Sequence, residues 1–186
     1  MSYKAIMEDG TDRMDKAVKH LQDMLRSVRT GQASPALVEN IRVDYYGTPT
    51  PISQLGQISI PEPRQIMIKP FDASVLKEMG KAIQKSDLGI SPQDDGKVLR
   101  LTLPQLSGDQ RKKYAAKVKE MCEEARVAMR NTRRDLNKLG DQKKKDGELT
   151  EDENRKLHDD IQKLLKDSEG RVDALLDKKT KEVMEL

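Results

Sequence analysis

Arg126-Val127-Ala128-Met129-Arg130-Asn131-Thr132-Arg133-Arg134-Asp135-Leu136 is the stretch on which the reading of this chain turns. Its four arginines stand at i, i+4, i+7 and i+8, so at about 100° per residue they leave a helix within roughly 100° of arc. The spacing predicts one cationic ridge. Tyr114, Val118, Met121, Cys122, Ala125, Met129, Leu136 and Leu139 form an apolar stripe on the same helix. That stripe is expected on roughly the opposite side, leaving the arginines free to meet something outside the fold. Lys112, Lys119, Arg126 and Arg133 recur every seven positions, and Lys144 returns to the same azimuth, which lengthens the ridge. Phosphate suits such a row, because a guanidinium offers planar, bidentate hydrogen bonds that an ammonium cannot.

Charge is segregated along the chain. Residues 111–145 carry 13 Lys+Arg against 5 Asp+Glu, whereas 146–186 carry 8 against 13, so the overall +3 conceals two opposed segments. Such asymmetry is expected when one face binds a polyanion. The plainer reading is a solvated basic face, or one paired with the acidic segment. With 35% hydrophobic and 36% charged residues, two-faced helices fit better than a thick core. Aromatics are only 3%, with no Trp, which argues against stacking bases on aromatic platforms and for structured RNA met through shape and phosphate. The lone Cys122 falls on the apolar stripe and reads as a core residue. The opening MSYKAIMEDG lacks a continuous apolar run, and no stretch of 18 apolar residues occurs, so a cytoplasmic protein without a membrane segment is expected.

Outward from the ridge, three amphipathic helices and one interruption are expected. The first runs from about Thr11 to Arg29, with Met14, Val18, Leu21, Leu25 and Val28 on one stripe, and stops at Thr30-Gly31. All eight prolines lie between Pro35 and Pro104, so the texture changes there. Ile41–Tyr46, Ile58–Ile60, Ile66–Ile68 and Leu99–Leu103 read as strands, with a turn at Pro61-Glu62-Pro63 and a helix over Ala73–Lys85. Over residues 31–105 the charges balance, 8 against 8. Ser107 and Gln110 form a capping box opening the basic helix, in which Gly140 is the weak point. Asp146-Gly147 makes a turn, Thr150 and Glu153 form a second box, and Leu157, Ile161, Leu164, Val172, Leu175 and Val183 mark the buried side of the last helix.

None of these helices can hide its stripe alone, so residues 1–30 and 106–186 are expected to form a three-helix bundle, with 31–105 inserted as a small α/β domain. The fold class is α+β. Thr30, Gly31, Pro104 and Gln105 would then form a paired hinge.

Four separated motifs carry a resemblance over essentially the whole chain. Val28-Arg29-Thr30-Gly31-Gln32-Ala33-Ser34-Pro35, Tyr45-Tyr46-Gly47-Thr48-Pro49-Thr50-Pro51, Ser86-Asp87-Leu88-Gly89 and Ala125–Asp135 resemble those of the bacterial ribosome recycling factor family. Gln32 departs from the arginine common there, so no phosphate contact is carried to it. The resemblance implies an L-shaped, monomeric, non-enzymatic factor that needs no cofactor. It implies that the bundle binds large-subunit ribosomal RNA after termination, through Arg126, Arg130, Arg133, Arg134, Lys119 and Lys112, with Arg29 a second candidate near the hinge. Elongation factor G with GTP would drive subunit separation, and initiation factor three would prevent rejoining.

Two other classes compete with this reading. A metabolic enzyme lacks its parts: there is no GxxxxGK[ST], GxGxxG or HExxH, His20 and His158 read as surface residues, and Asp94-Asp95-Gly96 reads as a turn rather than a metal site. Tyr45-Tyr46 reads as strand packing. A helical-bundle adaptor with a solvated basic face is the remaining alternative.

Overall fold

The computed structural model describes residues 2–185 and consists of long helices and a small sheet unit, an α+β fold. Two compact units divide the chain: residues up to Leu25 with Ala115–Lys181, and Arg26–Tyr114 with the residues from Glu182 onward. These cuts fall within the last turn of the first helix and the second turn of the basic helix, whereas the texture of the sequence changes at residues 31 and 105.

The first unit is built from α1 (Tyr3–Arg26), most of α4 (Gly108–Lys145) and most of α5 (Glu151–Met184). Helix α1 starts at Tyr3, eight residues earlier than its periodicity suggests, and Gly10 lies inside it. The physical reason is packing: a Cβ on Gly10 would stand 2.7 Å from Leu136 Cδ1, so the missing side chain lets α1 and α4 approach closely. Ile6, Met14, Val18, Leu21 and Leu25 are buried on α1, Val118, Cys122, Met129 and Leu136 on α4, and Leu157, Ile161, Leu165 and Val172 on α5. Each such side chain contributes roughly 1.5–3 kcal/mol by leaving water. The expected Leu164 and Leu175 are only half-buried, whereas Leu165 is buried.

Helix α4 passes through Gly140 without a break. A Cβ there would lie 2.7 Å from Asn154 Oδ1 and 2.8 Å from Leu157 Cδ2, so this glycine lets α5 approach closely rather than marking a weak point. Both capping boxes form. The Gln110 N–H donates to Ser107 Oγ at 3.2 Å and the Ser107 N–H to Gln110 Oε1 at 3.0 Å, and Thr150 and Glu153 repeat the exchange at 3.3 and 2.8 Å. Polar links join the helices at their rims: Arg13 donates to Asp135 at 2.8 Å, Arg171 to Asp15, and Tyr3 Oη to Asp160. Burial, then Asp160, pushes the Tyr3 hydroxyl up to about 12.

The second unit carries β1 (Arg42–Tyr45), β2 (Thr48–Pro51), the single turn α2 (Ile52–Leu55), β3 (Gly56–Glu62), β4 (Gln65–Pro70), α3 (Leu76–Lys85), β5 (Gln93–Asp94) and β6 (Leu99–Thr102). Strands β1 and β2 form an antiparallel ribbon with Val43 opposite Thr50, and a second antiparallel sheet has the order β3-β4-β6-β5. In the latter, Ile58 faces Ile68 and Ile68 faces Leu99. The core gathers Val38, Val43, Ile52, Ile66, Ile68, Met79, Ile83, Leu99 and Leu101. Pro61 does not end β3 as expected. The strand runs on to Glu62 with a register break after Ser59, and the turn falls at Pro63-Arg64. Proline is tolerated because β3 is an edge strand. The same holds for β2, Thr48-Pro49-Thr50-Pro51, which sequence patterning misses because a two-stranded ribbon is all edge. Asp72 accepts the Ser74 N–H at 2.9 Å and caps the turn leading into α3.

Candidate nucleic-acid interface

The arginine row and the buried stripe of α4 are neighbours, not opposites. Taking Arg126 as zero, about 100° per residue places Arg133, Arg130 and Arg134 near −20°, +40° and +80°, and Cys122, Met129, Val118 and Leu136 between about −40° and −80°. Arg126 and Arg133 therefore flank the core while Arg130 and Arg134 turn progressively outward. Exposure follows this order, with the Arg126 side chain at 19%, Arg130 at 40% and Arg134 open to water.

Each arginine has its own surroundings. Arg126 donates to Asp173 on α5 and, at 3.2 Å, to Glu123 Oε2 one turn back. Arg130 donates to the other oxygen of the same carboxylate. Arg133 reaches α5, where Nη1 donates to Gln162 Oε1 at 3.2 Å, and its Nε is buried without a partner, as is Asn137 Oδ1 one turn on. Arg134, Lys119 and Lys112 lie exposed along α4. Arg130 first, then Arg126, holds the Glu123 carboxyl below the usual carboxylate range, and Asp173 in turn raises Arg126. Glu123, Asp173 and Gln162 were missed in the sequence. Glu123 was findable there, since it stands i+3 and i+7 from two arginines of the row; Asp173 and Gln162 come from another helix and leave no local signal.

Arg29 points inward. It is 6% exposed, and its guanidinium donates to Pro104 O at 2.7 Å and Leu88 O at 3.3 Å, so it ties three segments of the second unit together. It is therefore neither an outward cation nor a counter-charge to the helix terminus, which ends at Arg26. Thr30, Gly31 and Gln105 line a cavity of about 590 Å³ in the same unit, with Arg64 and Arg111, and Gly31 holds φ at +88°. Pro104 supplies the carbonyl that Arg29 grips.

The remaining candidates settle simply. Cys122 is buried, and burial pushes its thiol up. Asp94 and Asp95 accept the N–H groups of Gly96, Lys97 and Val98 in the turn between β5 and β6. His20 is exposed, while His158 is half-buried with Nε2 3.1 Å from Asp141. Tyr45 packs on the core, but Tyr46 is 80% exposed at φ +49°, so only half of that pair is strand packing. Among the described residues no cluster of three or more His, Cys, Asp or Glu is placed to hold a metal, and no helix is long and apolar enough to cross a membrane.

Comparison with known proteins bears on the family of the chain. Residues 5–184 match the family model described as ribosome recycling factor. The chain is 47% identical over 183 residues to the ribosome-recycling factor of Geobacillus kaustophilus, covering 98% of this chain and 99% of that one. It is also 47% identical over 181 residues to that of Pseudothermotoga lettingae, covering 97% and 98%. Among solved structures, a ribosome recycling factor in solution aligns with a TM-score of 0.79 at 34% identity, over 100% of this chain and 99% of that one. A second similar structure (TM-score 0.68, 34% identity, 99% and 100% covered) is the T. thermophilus ribosome recycling factor, described with the E. coli elongation factor G bound to the E. coli post-termination complex.

Proposed function

The chain belongs to the ribosome recycling factor family, and from that premise we propose that it acts in the cytoplasm as a translation factor, not an enzyme. It binds the ribosome after termination and, with elongation factor G and GTP, separates the subunits and frees messenger and tRNA. The observation that carries this reading is the family match over residues 5–184, which spans both compact units rather than one motif. A solved relative described with elongation factor G on the post-termination complex supports the same partners.

Within the chain, the helical residues 1–30 and 106–186 hold the ribosomal RNA of the large subunit, and 31–105 form the inserted domain. Thr30, Gly31, Pro104 and Gln105 flank these sequence boundaries and form the hinge of the proposal, although packing gathers all four into the second compact unit. On α4, Arg134 and Arg130 stand most open and meet phosphate first. Arg133, half-buried and linked to Gln162, follows. Lys119 and Lys112 extend the contact as point charges. Arg29 serves from inside, holding Pro104 and Leu88. The factor works mechanically: translocase motion drives it against RNA bridges that join the subunits.

A post-termination ribosome mixed with this protein, elongation factor G and GTP should yield separate subunits on a gradient. Intact ribosomes, under conditions where a known recycling factor splits them, would reject the proposal. One observation favours the adaptor reading instead, namely that carboxylates already neutralise Arg126 and Arg130. Salt-competed co-sedimentation with large subunits is expected of the factor and not of the adaptor.

A further inference from the structure

We infer that the Glu123 carboxylate is an internal stand-in for an RNA phosphate, seated between Arg126 and Arg130 in the free protein and displaced when this face of α4 docks on RNA. The inference rests on the reading of the arginine face given above.

Two guanidiniums converge on one anion here. Glu123 Oε2 accepts from Arg126 Nη1 at 3.2 Å, and Oε1 accepts from Arg130 Nη2. A phosphodiester presents the same charge and the same two acceptor oxygens as a carboxylate, so it can take over both donors without either arginine changing its role. The seat opens to water: the side chain of Glu123 is 53% exposed and that of Arg130 40%. Arg126 does not depend on Glu123 for its place, because Asp173 grips it from α5. When Glu123 leaves, one half of the seat stays organised.

Glu123 therefore has two opposed effects. It keeps the flexible Arg130 converged on the already anchored Arg126, which lowers the ordering cost of binding. It also competes with the incoming anion and then sits beside it as a like charge, which weakens docking. The second effect is the larger, since a displaced carboxylate beside a phosphate repels it whereas ordering the one half-exposed side chain of Arg130 saves little. Glu123 is thus a specificity and release device: an isolated phosphate gains little by replacing it, whereas a folded RNA that also reaches Arg133 and Arg134 does.

The test measures binding of the full-length protein to purified large ribosomal subunits over a salt series. Glu123→Gln should bind about 3- to 10-fold tighter near 50 mM salt, with the advantage shrinking as salt screens the charges. Glu124→Gln, which removes the same charge one residue away, should shift affinity less than about twofold. Arg130→Ala should weaken binding. If Glu123→Gln binds no tighter while Arg130→Ala binds more weakly, or if the Glu124→Gln gain equals that of Glu123→Gln, the inference is overturned. If Arg130→Ala and Arg133→Ala both leave binding unchanged, the arginine-face reading fails first and takes the inference with it. Because Glu123 is exposed, thermal unfolding of its variant should match the parent and so exclude misfolding as the cause.

Discussion

The helical unit and the sheet unit use their side chains in contrasting ways. In the first, apolar residues form a stripe along each of three helices, and much of the remaining surface carries charge in partnered rows such as Glu123, Arg126, Arg130 and Asp173. In the second, two sheets and α3 enclose one core, and the most notable cation, Arg29, is turned inward onto backbone carbonyls. The difference teaches that an arginine is assigned a role by its angle to the core, not by its residue type. Arg29 is a strut, Arg126 and Arg133 are hinged over a helix seam, and Arg134 is free to reach outward.

The sharpest way to break that contrast is to empty the sheet core. Ile68 lies fully buried on β4, paired with Ile58 on one side and Leu99 on the other. Ile68→Ala should cost about 2–5 kcal/mol through lost transfer energy and a cavity. Amide exchange should quicken in β3, β4 and β6 but not in the middle of α5. Equal quickening in both units would mean that they unfold as one body.

Arg29→Ala comes next, at about 2–3 kcal/mol of stability, since the carbonyls of Pro104 and Leu88 lose a charge-assisted partner. Arg29→Lys should recover only part, because one ammonium cannot copy the fork. Urea unfolding measures both. Ribosome affinity at a temperature where the variant is folded should stay near the parent's, and a tenfold loss there would make Arg29 an RNA contact after all.

On the other side of the comparison, Arg133→Ala should leave the fold intact and cost ~1.5–3 kcal/mol of ribosome affinity, with the salt slope falling by ~1. Binding that is unchanged across the salt series would remove Arg133 from the interface.

The smallest effect expected is at Tyr3, whose hydroxyl is pushed up to about 12 by burial and by Asp160. A raised acid is neutral in the folded state over a wider range, so this contribution is whole below the ordinary tyrosine range near 10 and fades as pH rises toward 12. Tyr3→Phe should flatten that alkaline decline in the urea midpoint. A decline of the same steepness in the variant would assign it to other groups.

Much of this was legible from spacing. The stripes of α1, α4 and α5, both capping boxes, the Asp94-Asp95-Gly96 turn and four of the six strands follow from local periodicity and turn chemistry. What escaped depends on partners far along the chain. Gly10 and Gly140 look like interruptions until Leu136 and Asn154 are seen pressing on them. The prolines of β2 and β3 argue against strands unless those strands lie at edges. Arg29 sits in a motif that reads as a ribosome contact, and only the carbonyls of Leu88 and Pro104, some 60 and 75 positions later, show it turned inward. The ridge is legible as well, and helical arithmetic on the same residues sets it beside the core rather than behind it.

The burial of Cys122 has a practical corollary. The chain holds no other thiol, and this one is closed off and hard to ionise, so the native protein is close to silent toward maleimides. A single cysteine placed at Arg134 or at the exposed Phe71 could carry a dye or spin label without first stripping the background. A pair of such labels, one in each unit, would turn the molecule into its own ruler during a recycling cycle.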